Sequence, residues 1–333
     1  MGVGERRDPN TSHGDGAGRI HAYSKHWQRP AATEETALLR LQADNDPLGF
    51  DYLGFAWATL MDGLKERTRE SKDILQSLLH AQQSLSNSGA RRRATVAQHI
   101  RAINYFDLFK AAGITDVFWS HAVNSYQTSR GIRIHPFPLY PAQAPDYNGS
   151  DGAEKRHLAN FVGAYNPNIY LTNVRDVIFG DEGKYADLHI VKRDRWHFDR
   201  AVYDEQIGGR TASDAQLKTE AQHKQDYIDA IRQSWFTLCP TGSGPNSIRI
   251  FECFALGSIP IVLSRELTLV GDQDLWDRAA IIEEDSEDGY RRAIERARRM
   301  PDTERVEMLS AGKALFDQVG PNAFGDIIRQ GMA

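Results

Sequence analysis

One stretch, Ser234–Glu266, constrains the fold of this chain more than any other. It begins with an aromatic-rich apolar run, Trp235–Cys239, that favours a buried strand. A loop with two glycines and a proline follows at Thr241–Asn246, and apolar residues then recur at helical spacing up to Gly257. A second apolar run, Ile259–Leu263, completes the unit. The order strand, glycine loop, helix, strand predicts a βαβ piece of a parallel sheet.

The start of this helix predicts an anion-binding site. Its first N–H groups have no partner within the helix, and Gly242 and Gly244 leave room for a ligand to approach them. Arg249 lies in the first turn, where the helix dipole disfavours a cation by about 0.3–1 kcal/mol, so a negative ligand is expected to share this space. Glu252 is within reach of Arg249 or of a sugar hydroxyl. The alternative is a surface ion pair worth about 0.2–0.5 kcal/mol.

These positions resemble the donor-binding motif of exostosin-like glycosyltransferases. In that family an aromatic-rich strand ends in Cys-Pro and precedes a glycine loop, a Ser-x-Arg-x-x-Glu helix and a Gly-x-x-Pro turn. The matching positions here are Cys239, Pro240, Gly242, Gly244, Ser247, Arg249, Glu252, Gly257 and Pro260. The resemblance covers residues 225–265, and Gln98–Ala122 is similar to the acceptor half of bacterial members. The chain departs from the pattern at Leu267–Gly271, which lacks the family's Leu-Pro-Phe.

The resemblance implies the GT-B fold class, in which two Rossmann-like α/β domains with parallel sheets face each other across a cleft. We expect a poorly ordered tail over residues 1–45, an acceptor-side domain over 46–150, a donor domain over 151–320 and a closing helix over 321–333. The boundary is placed in Pro141–Lys155, where two prolines, two glycines and three acids give a linker composition.

Hydrophobic patterns predict the elements of both domains. The elements expected in the first domain are helices at Thr33–Leu41, Met61–Leu85 and Thr95–Ala112, and strands at Phe50–Leu60, Asp116–Ser120 and Ile132–Ile134. Those expected around the central unit of the second are strands at Leu158–Tyr165 and Asp187–Val191, and helices at Pro167–Phe179, Asp226–Gln233, Asp288–Arg298, Thr303–Val319 and Phe324–Met332. The polar stretch Asp194–Gln222 has no clear pattern.

The resemblance also implies a function. It indicates an inverting, metal-independent glycosyltransferase that moves a sugar from a nucleotide-diphospho donor to a glycan or glycolipid acceptor in polysaccharide or lipopolysaccharide biosynthesis. UDP is expected rather than GDP, with no metal and no separate cofactor. The residues expected at the donor diphosphate are Gly242, Ser243, Gly244, Ser247 and Arg249. The resemblance implies that the Glu252 carboxylate accepts hydrogen bonds from the ribose hydroxyls. Arg175 is a second phosphate candidate, with a plain surface helix residue as the alternative.

An inverting transfer needs a base that activates the acceptor hydroxyl from the opposite domain. His121 and His135 are the candidates, because each follows a predicted strand and is expected to face the cleft, where α/β sheets bind their ligands. Asp62 and Asp146 are secondary candidates. The alternative for either histidine is a structural side chain beside aromatic residues.

Two other functions fit part of the central motif. Gly242-x-Gly244-x-x-Ser247, with Glu266 at the next strand's end, is close to the dinucleotide fingerprint and would indicate an NAD(P)-dependent oxidoreductase. The third glycine of that fingerprint is missing, however, and Pro245 lies inside the loop. A non-catalytic nucleotide-sugar or glycan-binding protein on the same fold is the other alternative. Asp272-Gln273-Asp274 spells a metal motif but lies in a predicted loop, and we interpret it as coincidence.

Composition limits the partners. The net charge of −5 and the pI near 6.1 argue against a nucleic-acid binder with a broad basic surface. Cys239 and Cys253, the two cysteines, fall in predicted core elements, which suits a reducing compartment and cannot supply a cysteine zinc site. No apolar run reaches the roughly 18 residues of a membrane span. Animal and plant exostosins are usually tethered to the membrane by an N-terminal helix, so the resemblance implies a cytoplasmic member of bacterial type. The basic cluster Arg91–Arg93 is a solvated turn or a contact for an anionic acceptor or lipid head groups at the inner membrane face. No sequence feature indicates an oligomeric state.

Overall fold

The computed structural model describes residues 18–22, 25–44, 46–149, 153–194, 205, 209 and 211–333. Within these residues the chain forms two β-sheets, each built mainly of parallel strands with helices packed on both faces. Four clusters of buried apolar side chains lie between the sheets and their helices. The arrangement is that of two Rossmann-like α/β halves.

The first sheet contains six strands. They are β1 (Ile20–Ala22), β2 (Asp51–Gly54), β3 (Arg93–Ala97), β4 (Asp116–Trp119), β5 (Thr128–Ser129) and β6 (Ile132–Pro136). Their order is β1-β2-β3-β4-β6-β5, and every neighbouring pair is parallel except β5 with β6. The central strands β2 and β4 are buried at every position, because both of their faces are covered.

Four helices cover this sheet from its own half of the chain. They are α1 (Thr33–Ala43), α2 (Trp57–Glu66), α3 (Glu70–Ser86) and α4 (Phe106–Ala111). Helices α2, α3 and α4 bury their apolar faces against one side of the sheet, around Trp57 and Phe109, whose rings meet edge to face with centroids 4.5 Å apart. Helix α1 packs on the other side.

The second sheet contains five strands, all parallel. They are β7 (His157–Ala164), β8 (Leu188–Arg193), β9 (Ser234–Pro240), β10 (Ile259–Leu263) and β11 (Ile281–Glu283). Their order is β11-β10-β9-β7-β8. The helices that follow along the chain are α5 (Val174–Gly180), α6 (Asp214–Arg232), α7 (Ile248–Leu256), α8 (Gln273–Ala279), α9 (Glu287–Arg299) and α10 (Asp302–Val319).

The last helix, α11 (Phe324–Met332), packs on the first sheet and not on the second. Phe324, Ile328 and Met332 are buried with α1 and with Phe118 and Phe137 of the first half. The helix predicted at this position therefore exists. The chain crosses back to its starting half before it ends.

The predicted βαβ unit is confirmed. Strands β9 and β10 pair in parallel, with Cys239 opposite Val262, and α7 connects them. Gly257 ends α7 with a φ of 71°, and a methyl group there would lie 2.6 Å from the carbonyl oxygen of Gly149. Only glycine meets both conditions.

Three predictions for the first half were wrong. Residues 18–44, expected to be part of a poorly ordered tail, supply β1 and α1, although the short helix itself was anticipated. The helix predicted at Thr95–Ala112 is instead the end of β3, a turn, a short 3-10 helix and α4. The strand predicted at Phe50–Leu60 ends at Gly54, and α2 begins at Trp57 because the chain turns there to cover the sheet.

Parts of two predicted segments lie outside the described residues. They are residues 150–152 of the linker and most of 195–210 in the unassigned polar stretch, whose end begins α6. The domain limits set from the sequence stay a prediction. No helix among the described residues is long and apolar enough to cross a membrane.

The two halves meet at the carboxyl ends of their sheets. Val123 and Leu267 form an antiparallel bridge, flanked by hydrogen bonds from Asn124 N to Glu266 O (3.0 Å) and from Thr268 N to Ala122 O (3.0 Å). This contact joins the segment after β4 to the segment after β10, so both carboxyl edges border one region.

Candidate functional site

The glycine loop, Thr241–Ser247, links β9 to α7 at this junction. Leu171 N donates to Gly242 O (3.0 Å) from one side, and Asn246 Nδ2 donates to Ser120 O (2.6 Å) of the first half from the other. Ser243 is exposed, and the hydroxyl of Ser247, at the N-cap of α7, makes no capping hydrogen bond. The predicted loop residues therefore lie together between the halves.

Arg249 extends from the first turn of α7 across the sheet edge. Its Nη1 donates to Leu238 O (3.3 Å) and its Nη2 to Val162 O (2.7 Å). The guanidinium carbon lies 4.6 Å from the centroid of the Phe161 ring and 5.7 Å from that of Tyr227. Nε is buried without a hydrogen-bond partner, and within the described residues no carboxylate pairs with this cation. Ring faces and carbonyls hold its position without a direct ion pair.

Arg175, the second predicted phosphate residue, lies beside the same loop. Its Nε donates to Thr241 O (2.9 Å), and its guanidinium carbon lies 4.4 Å from the Tyr170 ring centroid and 5.5 Å from that of Phe161. Burial, and then the charge of Arg249, lower the pKa of Arg175 to about 10. The two arginines thus share Phe161 and repel each other, so an anion between them would be stabilised by both.

Arg193, which the sequence analysis missed, ends β8 on the same edge. Its Nη2 donates to His223 O (2.9 Å), and burial is the main reason that its pKa is lowered, with the charge of Arg249 a smaller one. Its position at the end of a parallel strand could have identified Arg193 as a candidate site residue, because ligands bind at the carboxyl ends of such strands.

Glu252 is buried and already bonded at both oxygens. Oε1 accepts from Gln143 N (2.9 Å) and Oε2 from the Tyr227 hydroxyl (2.6 Å), and only 2% of the residue is exposed. Burial raises the pKa of Glu252 above its ordinary value. A role in binding ribose hydroxyls stays a prediction from the resemblance, since the carboxylate here connects α7 to α6 and to the chain between the sheets.

His121 contacts the glycine loop from the first half. A methyl group on Gly244 would lie 2.7 Å from His121 Nδ1 and 2.7 Å from Ile100 Cγ2, so glycine is needed for this close approach. Nδ1 accepts a long hydrogen bond from Asn246 N (3.4 Å). Burial, and then the neighbouring His99, lower the pKa of His121 to about 3, so the ring is neutral. The expectation that His121 borders the cleft agrees with its position, but a group with so low a pKa is a weak base.

His135 does not lie at this junction, contrary to expectation. Its ring stacks on Phe118 with centroids 4.6 Å apart, and Nε2 lies 2.9 Å from Asp116 Oδ1. Asp116 is the first residue of β4, so the side chain of His135 reaches toward the amino end of that strand, and α11 covers it. His135 is therefore part of a structural ion-pair cluster.

His99 and Asp62 form a pair at the carboxyl edge of the first sheet. His99 follows β3, and its Nε2 lies 3.1 Å from Asp62 Oδ1, while Gln28 Nε2 donates to Asp62 Oδ2 (2.8 Å). Nδ1 of His99 accepts from Arg101 N (3.1 Å), which assigns the proton of the neutral ring to Nε2. The sequence analysis missed His99 because it placed this residue inside a helix, although it named Asp62.

Asp272 of the Asp-x-Asp sequence caps a helix. Its Oδ1 accepts from Asp274 N (2.8 Å) at the start of α8. Among the described residues, no group of three or more acidic, histidine or cysteine side chains is arranged to hold a metal ion.

The fold and the junction define a class of protein. Two Rossmann-like domains with parallel sheets, whose carboxyl edges meet around a glycine loop, form the GT-B fold, as predicted.

The sequence relatives are glycosyltransferases. Residues 141–272 match the family described as the RXYLT1 C-terminal domain. Over 150 residues the chain is 27% identical to human ribitol-5-phosphate xylosyltransferase 1, an alignment that covers 45% of this chain and 28% of that protein. The chain thus spans under a third of the curated relative that it matches. Both matches support a glycosyltransferase family, while an exostosin-like and bacterial identity stays a prediction.

Solved structures with a similar fold have very different sequences. An E. coli structure described as trehalose-6-phosphate bound with UDP-2-fluoro glucose is 10% identical, with 94% of this chain and 98% of that chain covered and a TM-score of 0.49. The pneumococcal O-GlcNAc transferase GtfA, in complex with UDP and GlcNAc, is 10% identical, with 89% and 59% covered and a TM-score of 0.43.

Proposed function

We propose that this chain is a glycosyltransferase whose nucleotide-diphospho sugar is bound at the glycine loop, with the diphosphate between Arg249 and Arg175. The observation that carries the proposal is a pair of neighbouring, half-buried arginines, neither of which forms an ion pair with a carboxylate among the described residues. Burying an uncompensated charge costs several kcal/mol, and a diphosphate would offset that cost for both arginines at once. The same groups would stabilise the charge that the diphosphate gains as the glycosidic bond breaks.

For the transfer itself we propose an inverting mechanism without a metal. The base would be His99, because its partner Asp62 holds the ring on the acceptor side of the junction and stabilises the imidazolium that forms. The hydroxyl of the sugar acceptor would take the place of the Arg101 N–H as hydrogen-bond donor to His99 Nδ1 and would transfer its proton to that nitrogen. His121, neutral and packed against Gly244, would position the glycine loop instead.

The donor sugar is proposed from the human relative, and UDP from the resemblance to exostosin-like enzymes. The human relative is named a xylosyltransferase acting on ribitol 5-phosphate, so UDP-xylose is the first donor to test. A glycan or glycolipid acceptor, a role in polysaccharide biosynthesis and a site of action in the cytoplasm at the inner membrane face are the wider proposal. An NAD(P)-dependent oxidoreductase is the alternative that the same experiment addresses.

Calorimetric titration with UDP, GDP, CMP and NAD, first with EDTA and then with magnesium, tests the donor site. We expect UDP to bind without a metal. Its affinity should fall about a hundredfold or more in Arg249→Ala, because the phosphates then lose their contact with the guanidinium group. Arg296→Ala, on the exposed face of α9, is the matched control and should bind as the wild type does. Binding of NAD alone, or equal affinity in Arg249→Ala, would refute the proposal.

A further inference from the structure

Three side-chain atoms on the carboxyl edge of the second sheet are buried without a hydrogen-bond partner among the described residues. They are Arg249 Nε, Ser264 Oγ and Asp285 Oδ1. In the sheet register, Leu263 lies opposite both Pro240 and Glu283. The residues that follow these three strands, including Thr241, Ser264 and Asp285, therefore leave the sheet at the same edge. Buried polar atoms are nearly always paired, so a group of such atoms at one edge indicates a missing partner.

Among these three atoms, Asp285 Oδ1 is the carboxylate oxygen and can only accept a hydrogen bond when it is ionised. Asp285 Oδ2 accepts from the hydroxyl of Thr241, the first residue of the glycine loop, and the hydroxyl of Thr172 lies near the carboxylate. Arg175 is close enough to interact with it electrostatically. The Thr241 hydroxyl thus holds the carboxylate beside the proposed diphosphate site, while Oδ1 has no hydrogen-bond donor among the described residues.

The contrast with Glu252 decides which carboxylate is available to a ligand. Both oxygens of Glu252 are bonded within the protein, whereas Asp285 retains one unbonded oxygen. A second anion cannot be the partner of Oδ1, because like charges repel. A neutral O–H donor next to the diphosphate meets the requirement, and a nucleotide sugar carries such groups on its ribose and on the transferred sugar.

We propose that Asp285 Oδ1 accepts a hydrogen bond from a hydroxyl group of the bound nucleotide sugar, on the ribose or on the transferred sugar. The inference rests on the proposed function and names a binding residue for it. Asp285 thereby fixes the orientation of the donor while the arginines bind its diphosphate. Thr241 is a positioning residue, since it acts through Asp285.

Asp285→Asn tests this assignment because it should weaken the binding of the hydroxyl group without weakening the binding of phosphate. The variant replaces a charged acceptor with an amide and removes a negative charge near Arg175. We expect it to bind UDP-xylose about ten to a hundred times more weakly than the wild type, by loss of a hydrogen bond to a charged group. Inorganic pyrophosphate should bind as tightly as before or more tightly. UDP and 2′-deoxy-UDP distinguish a ribose hydroxyl from a hydroxyl of the transferred sugar. A loss of UDP affinity in the variant indicates a ribose hydroxyl. A loss of UDP-xylose affinity alone indicates a hydroxyl of the transferred sugar.

Controls separate the inference from the proposed function. Glu284→Gln, the half-exposed neighbour that pairs with Arg265, should leave every affinity unchanged. Asp285→Ser serves as a second variant if Asp285→Asn does not fold, as judged by its thermal midpoint. Equal binding of UDP-xylose by wild type and variant, or a parallel loss of pyrophosphate binding, would overturn the role of Asp285 alone. A magnesium requirement for binding would overturn it too, by making Asp285 a metal ligand. Failure of the wild-type protein to bind UDP or UDP-xylose would overturn both proposals.

Discussion

Partners within the protein decide which charged residues at the glycine loop remain available to a ligand. Arg249 was identified from the sequence because a cation is unusual in the first turn of a helix. It lies against ring faces and carbonyls, with no carboxylate in ion-pair contact among the described residues. Glu252 was identified from the same motif, but Tyr227 and Gln143 occupy its oxygens. The spacing of a motif thus locates side chains, while their partners come from distant segments that no local pattern reveals.

The assignment of His99 as the catalytic base predicts how single substitutions change the kinetics. His99→Gln should lower kcat for sugar transfer by about a hundredfold or more with little change in the KM of the donor, because the acceptor hydroxyl loses its proton acceptor. Asp62→Asn should lower kcat by less, since the ring remains but its Nε2–H loses a charged partner. His121→Asn is the comparison. It should raise the donor KM more than it lowers kcat, because His121 contacts the glycine loop.

The measurement is steady-state transfer from UDP-xylose, with UDP affinity by calorimetry as a check on the donor site. All three proteins should keep the wild-type circular dichroism spectrum. A His99→Gln enzyme with kcat within twofold of wild type would exclude His99, and a large loss of kcat in His121→Asn would return the assignment to that residue.

Among the elements, β4 carries the main charged cluster of the first half. Asp116, fully buried at its start, accepts from Arg133 Nε (2.7 Å) and Arg92 Nη2 (2.9 Å) and lies 2.9 Å from His135 Nε2. Arg92 also donates to the carbonyl of Gly331 (3.2 Å), so the cluster connects the sheet to α11. The basic cluster predicted as a solvated turn is thus engaged in part within the protein.

Stability should depend on pH through this carboxylate. Burial alone would raise the pKa of Asp116, but hydrogen bonds from His135, Arg133, Arg92 and Thr115 outweigh it and hold the pKa well below its ordinary value of about 3.9. A lowered folded-state pKa means that the stabilisation is complete at neutral pH and is lost as the pH falls below about 4. Asp116→Asn should therefore cost about 3 kcal/mol of unfolding free energy at pH 7 and about 1 kcal/mol less at pH 3, where the unfolded carboxyl is largely protonated while the folded one is still ionised.

Urea unfolding of wild type and Asp116→Asn at several pH values between 7 and 3 measures this difference. Arg133→Gln is the control. Because that side chain is half exposed, its loss should cost under about 1 kcal/mol. A difference between wild type and Asp116→Asn that stays constant down to pH 3 would show that the cluster does not hold the carboxylate ionised.

The elements also show how far the sequence could predict the structure. The central unit was predictable because its apolar runs, glycines and proline each point to the same local structure. Strand β3 was not, since Ala94–Ala97 is small and buried on both faces, and the helically spaced residues that follow it suggested one long helix. His99 was missed with that boundary. His121 and His135 both follow apolar runs, and only the packing of Phe118 and Asp116 separates their positions.

Contacts between residues that are distant in sequence connect the two halves of the molecule. The glycine loop packs against His121, the bridge between Val123 and Leu267 joins the two carboxyl edges, and α11 returns to the first sheet. The first two contacts border the proposed donor site, whereas α11 lies on a face of the first sheet. The junction can therefore depend on α11 only through the stability of the first half.

Phe324→Ala tests this separation. The side chain is fully buried, with its ring centroid 4.9 Å from that of Phe137, so its removal should cost about 3–5 kcal/mol. Val306→Ala on α10, where the side chain is 54% exposed, should cost under about 0.5 kcal/mol. Hydrogen exchange is the measurement. We expect amides of β3 and β4 to lose protection in Phe324→Ala while those of β10 keep it and UDP affinity stays within about twofold, because α11 contributes to the first core alone. Equal loss of protection in both sheets would instead show that the halves unfold as one unit, with the junction as strong as either core.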